Sequence, residues 1–158
     1  MKISLISLPK NIAEGAIRKT VFKSPPVTHL WLSAILEQSG HVVDIIDALT
    51  EGKSITAVVE HLKQDKPDMV GFTVFTSAFH DVLYAAQIIK QALPETLTAV
   101  GGYHVNSIPE DFQTDYIDLI FIGEPPGVCT CMVSAPTMPP HIDTQCVPPS
   151  RPIRKTAR

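Results

Sequence analysis

Two clusters in this 158-residue chain combine side chains and backbone freedom suited to binding a ligand. Thr73, Thr76 and Ser77 surround the predicted start of a helix, where hydroxyls and backbone N–H groups can hold a phosphate or a polar nucleotide tail. Ser77 could equally be only the cap of that helix. Gly101 and Gly102 would let a bulky flat ligand approach the backbone closely, or would simply form a tight turn. Both alternatives stay open on this evidence.

The cysteines do not match a metal or cluster site. Cys129, Cys131 and Cys146 lack the Cys-x-x-x-Cys-x-x-Cys spacing that holds a [4Fe–4S] cluster, so we expect none on this chain. Together with His141 they could in principle bind zinc, but the paired Cys-x-x-Cys of a structural zinc site is absent. Free thiols of a cytoplasmic chain are the simpler interpretation. No metal ligand is predicted.

Composition divides the chain after Glu124. All ten aromatic residues precede that point, whereas eight of the 14 prolines follow it. Residues 1–124 therefore predict a globular domain, and residues 125–158 predict a proline-rich disordered tail. A net charge of -3 argues against a nucleic-acid partner. No apolar run is long enough to span a membrane, and the N-terminus reads as a strand, so we expect a soluble cytoplasmic protein.

Strands and helices alternate through the first 124 residues. Each connection is long enough for a parallel crossover, and the strands are short apolar runs, as in a sheet covered on both faces. This pattern predicts an α/β domain with a doubly wound, flavodoxin-like, five-stranded parallel sheet. The predicted strands are 2–8, 42–46, 68–73, 97–100 and 118–122, and the predicted helices are 28–39, 54–64, 77–94 and 109–113.

The helix that would close such a domain has no counterpart in the sequence. The position after strand five reads Pro125-Pro126-Gly127, which cannot start a regular helix. We therefore expect the closing helix to be missing, and we expect the apolar face near Ile120 and Ile122 to remain open. A domain with such an open face should be marginally stable.

Several common ligands of this fold are excluded by sequence. The segment after strand one contains neither the Gly-x-Gly-x-x-Gly motif of a dinucleotide site nor a P-loop. Sites of both kinds are therefore excluded. Thr73 occupies the place at the end of strand three where a phosphoacceptor receiver needs an aspartate. The loop after strand one is also poor in the Ser and Thr that a flavodoxin phosphate loop needs.

Five blocks, in order and with matching spacing, resemble the cobalamin-binding N-terminal domain of cobalamin-dependent radical SAM enzymes. The resemblance covers residues 1 to about 124 and then stops, so it implies a truncated relative that lacks the catalytic domain. The blocks are ISLISLP (3–9), LEQSGHVVDIID (36–47), VGFT (70–73), VGGYH (100–104) and IGE (122–124).

The resemblance implies a cofactor, cobalamin, with its corrin over the carboxyl edge of the sheet. The resemblance implies that the nucleotide tail contacts Thr73, Thr76 and Ser77. It also implies that the wall of the binding site is formed by Gly101, Gly102 and His104. The loop 9–26 has no Asp-x-His-x-x-Gly and no histidine, so no protein imidazole is expected below the cobalt.

Three functions follow from the resemblance as alternatives. The first is a corrinoid-binding module without catalysis of its own. The second is a subunit that works with a separate radical SAM or corrinoid methyltransferase chain. The third is a ligand-free flavodoxin-like interaction domain.

Overall fold

A computed structural model describes residues 1–8 and 26–123 of the chain. In this part, five strands form a parallel sheet in the order β2-β1-β3-β4-β5. The predicted doubly wound, flavodoxin-like fold is confirmed. The strands are β1 (Lys2–Ser7), β2 (Val42–Asp47), β3 (Met69–Thr73), β4 (Leu97–Gly101) and β5 (Leu119–Ile120).

Helices connect the strands in the alternating order that the sequence predicts. Three of them agree with the prediction to within two residues at every end. Ser54 caps the second of these by accepting from the Ala57 amide at 3.2 Å. Two one-turn helices were not predicted. The helices are α1 (Val27–Gln38), α2 (Ala48–Glu51), α3 (Ile55–Asp65), α4 (Phe79–Ala92) and α5 (Tyr103–Ser107).

The start of α4 differs from the prediction. A 3-10 turn over Thr76–Ala78 precedes the helix, and the N-cap position is Ala78, which has no capping side chain. The Ala78 amide donates instead to the Phe75 carbonyl at 2.8 Å, which closes the turn. Of the two alternatives for Ser77, the one in which it only caps this helix is therefore wrong, because the tight turn moves the helix start beyond it.

The two faces of the sheet carry unequal apolar cores. The larger core lies under α3 and α4 and includes Ile6, Val70 and Ile120. The smaller core lies under α1 and includes Leu5 and Phe121. Because successive strand residues point to opposite faces, each strand contributes to both cores.

The expectation of an open face near Ile120 and Ile122 is wrong for Ile120. Ile120 is only 4% exposed and belongs to the core under α3 and α4. Ile122 is half-buried and packs against the same core. The side chains of Leu119 in β5 and of Phe121 just after it belong to the other core, under α1. The expected absence of a closing helix and the predicted tail both concern residues 125–158, which lie outside the described part of the chain.

A polar network anchors β5 to β4 and α4. One carboxylate oxygen of Asp118 accepts from the Thr98 amide at 2.7 Å, from the Thr98 hydroxyl at 2.9 Å and from Lys90 Nζ at 2.8 Å. Lys90 also donates to the Thr96 carbonyl at 3.0 Å. The network replaces part of the ladder that so short a strand cannot provide.

Asp118→Ala is expected to lower the free energy of unfolding by about 2 kcal/mol, because hydrogen bonds to a charged group are lost and the Thr98 amide is left unpaired. Urea unfolding followed by far-UV circular dichroism measures the change. Asp115→Ala, at an exposed position of the same connection, is the control and should change stability by less than about 0.5 kcal/mol. Equal effects of the two variants would contradict the assignment.

Candidate functional site

The carboxyl ends of β3, β4 and β5 are joined into one surface by hydrogen bonds. The Val74 amide donates to the Gly101 carbonyl at 2.8 Å, and the His104 amide donates to the Val74 carbonyl at 3.0 Å. The Gly123 amide donates to Asn106 Oδ1 at 2.9 Å, which attaches the end of β5 to α5. We call the segments 73–79, 101–108 and 121–123 the carboxyl-edge surface. Its frame is made largely of backbone groups.

Gly102 is required by the chain itself. Its backbone has φ +105° and ψ -168°, a region that only glycine adopts readily. A Cβ at this position would lie 3.0 Å from Thr73 Cγ2, 3.1 Å from the Val74 nitrogen and 3.2 Å from the Val74 oxygen. The geometry of Gly102 is therefore explained by a tight turn against β3, whatever the ligand.

Gly101 is under a weaker constraint. A Cβ there would meet Phe121 Cβ at 3.5 Å, an ordinary contact, and its φ lies outside the left-handed region. The two neighbouring glycines, which the sequence suggested as one unit, therefore have different roles in the fold. Only the second one would strain the backbone if replaced.

A chain of three polar side chains runs inward from the carboxyl-edge surface. Thr76 is exposed, and its hydroxyl lies 3.1 Å from His104 Nδ1. His104 is 5% exposed, and its Nε2 lies 3.2 Å from an oxygen of Asp111. The imidazole packs against both Phe79 and Phe112, with ring centroids 4.9 and 5.7 Å away. We call these three residues the Thr76–His104–Asp111 chain.

The predicted site residues are brought together only in part. Thr73 ends β3 beside Gly101, and Thr76 contacts His104 directly. His104 lies beneath the surface, where it supports Thr76, and Ser77 is exposed on the 3-10 turn. Sequence reasoning missed Asp111 and Asn106, because neither residue belongs to a recognisable motif and each acts across a loop.

Large apolar side chains lie exposed on the same surface. Phe75 follows β3 and is 57% exposed, Tyr103 begins α5 and is 71% exposed, and Ile108 follows α5 and is 45% exposed. Exposed aromatic residues next to hydroxyl groups suit a ligand that is broad and apolar with a polar rim. A corrin ring fits that description, so the residues present are compatible with a corrinoid.

His29 is a second buried histidine, near the carboxyl ends of β1 and β2. The sequence predicts only a surface or packing role for it. It is 6% exposed, and among residues 1–8 and 26–123 its Nε2 has no hydrogen-bond partner. Burial lowers the pKa of His29 below its ordinary 6.5, against the opposing effects of the Asp47 charge and a hydrogen bond to the Ile6 backbone. The folded protein therefore favours the neutral ring.

His29 should make stability depend on pH. Below 6.5 the unfolded chain binds a proton that the folded chain resists, so the free energy of unfolding falls as the pH drops from 6.5 toward the lowered pKa. Above 6.5 the contribution is constant. Urea unfolding on both sides of this pH should show a smaller pH dependence for His29→Gln than for the wild type. His80→Gln, an exposed helical position, should keep the wild-type dependence.

Within 1–8 and 26–123, no group of three or more His, Cys, Asp or Glu side chains is arranged to hold a metal ion. In the same part of the chain, no helix has the length and apolar character needed to cross a membrane.

A doubly wound parallel sheet with an exposed aromatic and hydroxyl surface at its carboxyl edge defines a ligand-binding domain of the α/β class. A family model described as the B12 binding domain matches residues 14–129. This match covers more than half of the chain, so the chain belongs to the B12-binding domain family. The resemblance to cobalamin-binding domains noted from the sequence blocks is thereby confirmed.

Curated proteins are similar over much of the chain. An uncharacterized methyltransferase of Pyrococcus horikoshii is 34% identical over 126 residues, which cover 78% of this chain and 27% of that protein. An anaerobic magnesium-protoporphyrin IX monomethyl ester cyclase of Rubrivivax gelatinosus is 32% identical over 114 residues, covering 70% and 20%. The chain thus spans less than a third of the length of these relatives.

A solved structure also resembles this chain. It is a novel cobalamin-binding protein from Desulfitobacterium hafniense, with a TM-score of 0.48 and 20% sequence identity, covering 70% of this chain and 48% of that one.

Proposed function

We propose that the carboxyl-edge surface binds cobalamin. The observation that carries the proposal is the exposure of Phe75 and Tyr103, 57% and 71%, beside the hydroxyl of Thr76. Membership of the B12-binding domain family supports it. When bound, cobalamin supplies a redox-active cobalt ion. Phe75 and Tyr103 would cover the corrin and exclude water, while Thr73, Thr76 and Ser77 would hydrogen-bond its polar groups.

We further propose that no protein imidazole binds the cobalt from below. The sequence between Pro9 and Pro26 contains no histidine. Both ring nitrogens of His104 are already engaged, by Thr76 and by Asp111, so this residue has no lone pair to offer. Two further described histidines lie near this edge of the sheet. His29 is buried, whereas His80 is exposed in the first turn of α4, with its ring centroid 4.9 Å from that of Phe79, so His80 is the imidazole that the test below must exclude.

The module would hold the cofactor for a catalytic unit outside residues 1–124. Its relatives are named as a methyltransferase and a cyclase, and the matched region covers 27% and 20% of them. A cofactor-binding module of a cobalamin-dependent radical SAM-type enzyme agrees with both the sequence blocks and this partial coverage. A catalytic unit on a separate chain is the alternative. We place the module in the cytoplasm, with no catalysis of its own.

Binding should be detectable directly with hydroxocobalamin. After mixing and gel filtration, the protein fraction should carry the visible spectrum of the corrinoid. Tyr103→Ser should weaken binding on the order of tenfold, because a largely exposed ring that the ligand would bury is removed. Val42→Ser, which removes a 64% exposed apolar side chain at the opposite edge of the sheet, is the matched control.

Two results would overturn parts of this proposal. Elution of the wild-type protein without corrinoid would contradict the proposal that this surface binds cobalamin. Nitrogen coupling from the protein in the electron paramagnetic resonance spectrum of the bound cobalt(II) form would contradict only the proposal that no protein imidazole binds the cobalt. Repeating that spectrum with His80→Gln and with His29→Gln would then show which of the two histidines is the ligand.

A further inference from the structure

The hydrogen-bond directions in the Thr76–His104–Asp111 chain can be assigned from chemistry. An ionised carboxylate only accepts hydrogen bonds, so Asp111 requires a proton on His104 Nε2, 3.2 Å away. A neutral imidazole carries one proton, and Nδ1 is then an acceptor. The partner of Nδ1 is the Thr76 hydroxyl at 3.1 Å, which must therefore donate to it.

The opposite assignment is unfavourable. If Nδ1 carried the proton in a neutral ring, the Nε2 lone pair would face the Asp111 carboxylate, and two acceptors would be in contact. The imidazole cannot turn away easily, because it is 5% exposed and packs against both Phe79 and Phe112. Asp111 therefore selects one tautomer of a ring whose orientation the aromatic residues hold.

The assignment determines what the exposed end of the chain can bind. Thr76 has one hydroxyl proton, and that proton is used in the bond to Nδ1. Toward the exterior the hydroxyl then presents only oxygen lone pairs. A ligand phosphate, which is an acceptor, cannot receive a hydrogen bond from it, whereas an N–H group can donate to it.

We propose that Asp111, acting through His104, fixes Thr76 as a hydrogen-bond acceptor that recognises a primary amide N–H on the rim of the bound corrin. The inference rests on the proposed cobalamin binding and changes one expectation from the sequence, which gave Thr76 to the nucleotide tail. Asp111 and His104 are positioning residues in this scheme, and Thr76 makes the contact.

The first test measures the tautomer without any ligand. Long-range proton–nitrogen correlation spectra of the full chain report which ring nitrogen of His104 carries a proton. The expected result is a protonated Nε2 and an unprotonated Nδ1. In Asp111→Asn the preference should weaken, because the amide can either donate or accept. A wild-type ring protonated on Nδ1, alone or together with Nε2, would overturn the proposal.

The second test separates the corrin rim from the tail by comparing hydroxocobalamin with dicyanocobinamide, which has the rim amides but no nucleotide tail. Thr76→Val removes the hydroxyl at an exposed position and should weaken binding of both compounds by about fivefold, the loss expected for one hydrogen bond. Thr76→Ser keeps a hydroxyl at this position, so this variant should retain most of the wild-type affinity for both compounds. Weaker binding of hydroxocobalamin alone would assign Thr76 to the tail and overturn the proposal.

A double-mutant cycle tests whether Asp111 acts through Thr76. Asp111→Asn should weaken binding by less than Thr76→Val does, and it should have no further effect in the Thr76→Val background. Glu110→Gln, an exposed acid of the same turn, is the control and should leave binding unchanged. Additive losses from Asp111→Asn and Thr76→Val would show that Asp111 acts independently and would overturn the coupling.

Failure of this inference can be distinguished from failure of the proposed function. Wild-type protein that binds neither corrinoid overturns both of them. Wild-type protein that binds both compounds, with Thr76→Val unchanged, overturns only the role of Thr76.

Discussion

Phe112→Ala is expected to lower the free energy of unfolding by about 4 kcal/mol, because truncating a fully buried phenylalanine costs both transfer energy and a cavity. Phe112 is 0% exposed and packs edge-on against Phe79, with ring centroids 5.5 Å apart. Its ring centroid also lies 5.7 Å from that of His104, again in an edge-on arrangement. The variant should therefore lose stability and the fixed orientation of His104 together. Urea unfolding measures the first effect, and the His104 nitrogen spectra measure the second.

Two control variants make the Phe112 prediction specific. Phe112→Leu keeps most of the volume and should cost less than half as much. Phe75→Ala removes the same ring from an exposed position of the carboxyl-edge surface, so stability should change by less than about 0.5 kcal/mol while corrinoid binding weakens. A stability loss from Phe75→Ala equal to that from Phe112→Ala would contradict the burial assigned to the two residues.

Gly102→Ala is expected to cost roughly 3 kcal/mol. The backbone angles alone account for about 1–3 kcal/mol of strain in a residue with a Cβ. The added carbon would also meet Thr73 and the Val74 backbone at 3.0 to 3.2 Å, and a backbone neighbour cannot move aside cheaply. Thermal unfolding of the purified chain measures the loss, because the variant should melt well below the wild type.

The control for Gly102 is Gly52→Ala. Gly52 has φ +65° at the end of α2, but a Cβ there would meet nothing within 4 Å. Its replacement should cost about 1–2 kcal/mol, from backbone strain alone. Equal losses of stability in the two variants would show that the close approach to Val74 does not contribute to the cost of Gly102→Ala. Loss of corrinoid binding in Gly102→Ala is not evidence that the backbone touches a ring, because the variant disturbs β3 first.

Helices with a long apolar stripe could be predicted from the sequence. The spacing predicts a buried stripe of Ala78, Val82, Ala85, Ala86 and Ile89, because helical spacing places these residues on one face. The last four are buried in α4, whereas Ala78 is only half-buried at the N-cap position. Helix α5 could not be predicted, since five residues are too few to display a period. Its position follows from the backbone bonds to Val74, which are contacts between distant segments.

The candidate site was predictable in location but not in detail. The carboxyl ends of parallel strands meet at one edge, so Thr73 and Gly101 could be placed there from the strand pattern. The burial of His104 could not, because a polar ring is stable inside only when partners satisfy it. Its partners, Thr76 and Asp111, come from two different loops, and no local pattern marks their meeting.

The frame of the carboxyl-edge surface is independent of most side chains on it. Its bonds from Val74 to Gly101 and from His104 to Val74 join main-chain atoms, which are present whatever the residue. Substitutions at Phe75 or Tyr103 can therefore change which ligands the surface binds without changing the position of its backbone. Such a separation makes this edge suitable for directed evolution, in which libraries at the two aromatic positions could be selected for corrinoids with different upper ligands while the scaffold is left unchanged.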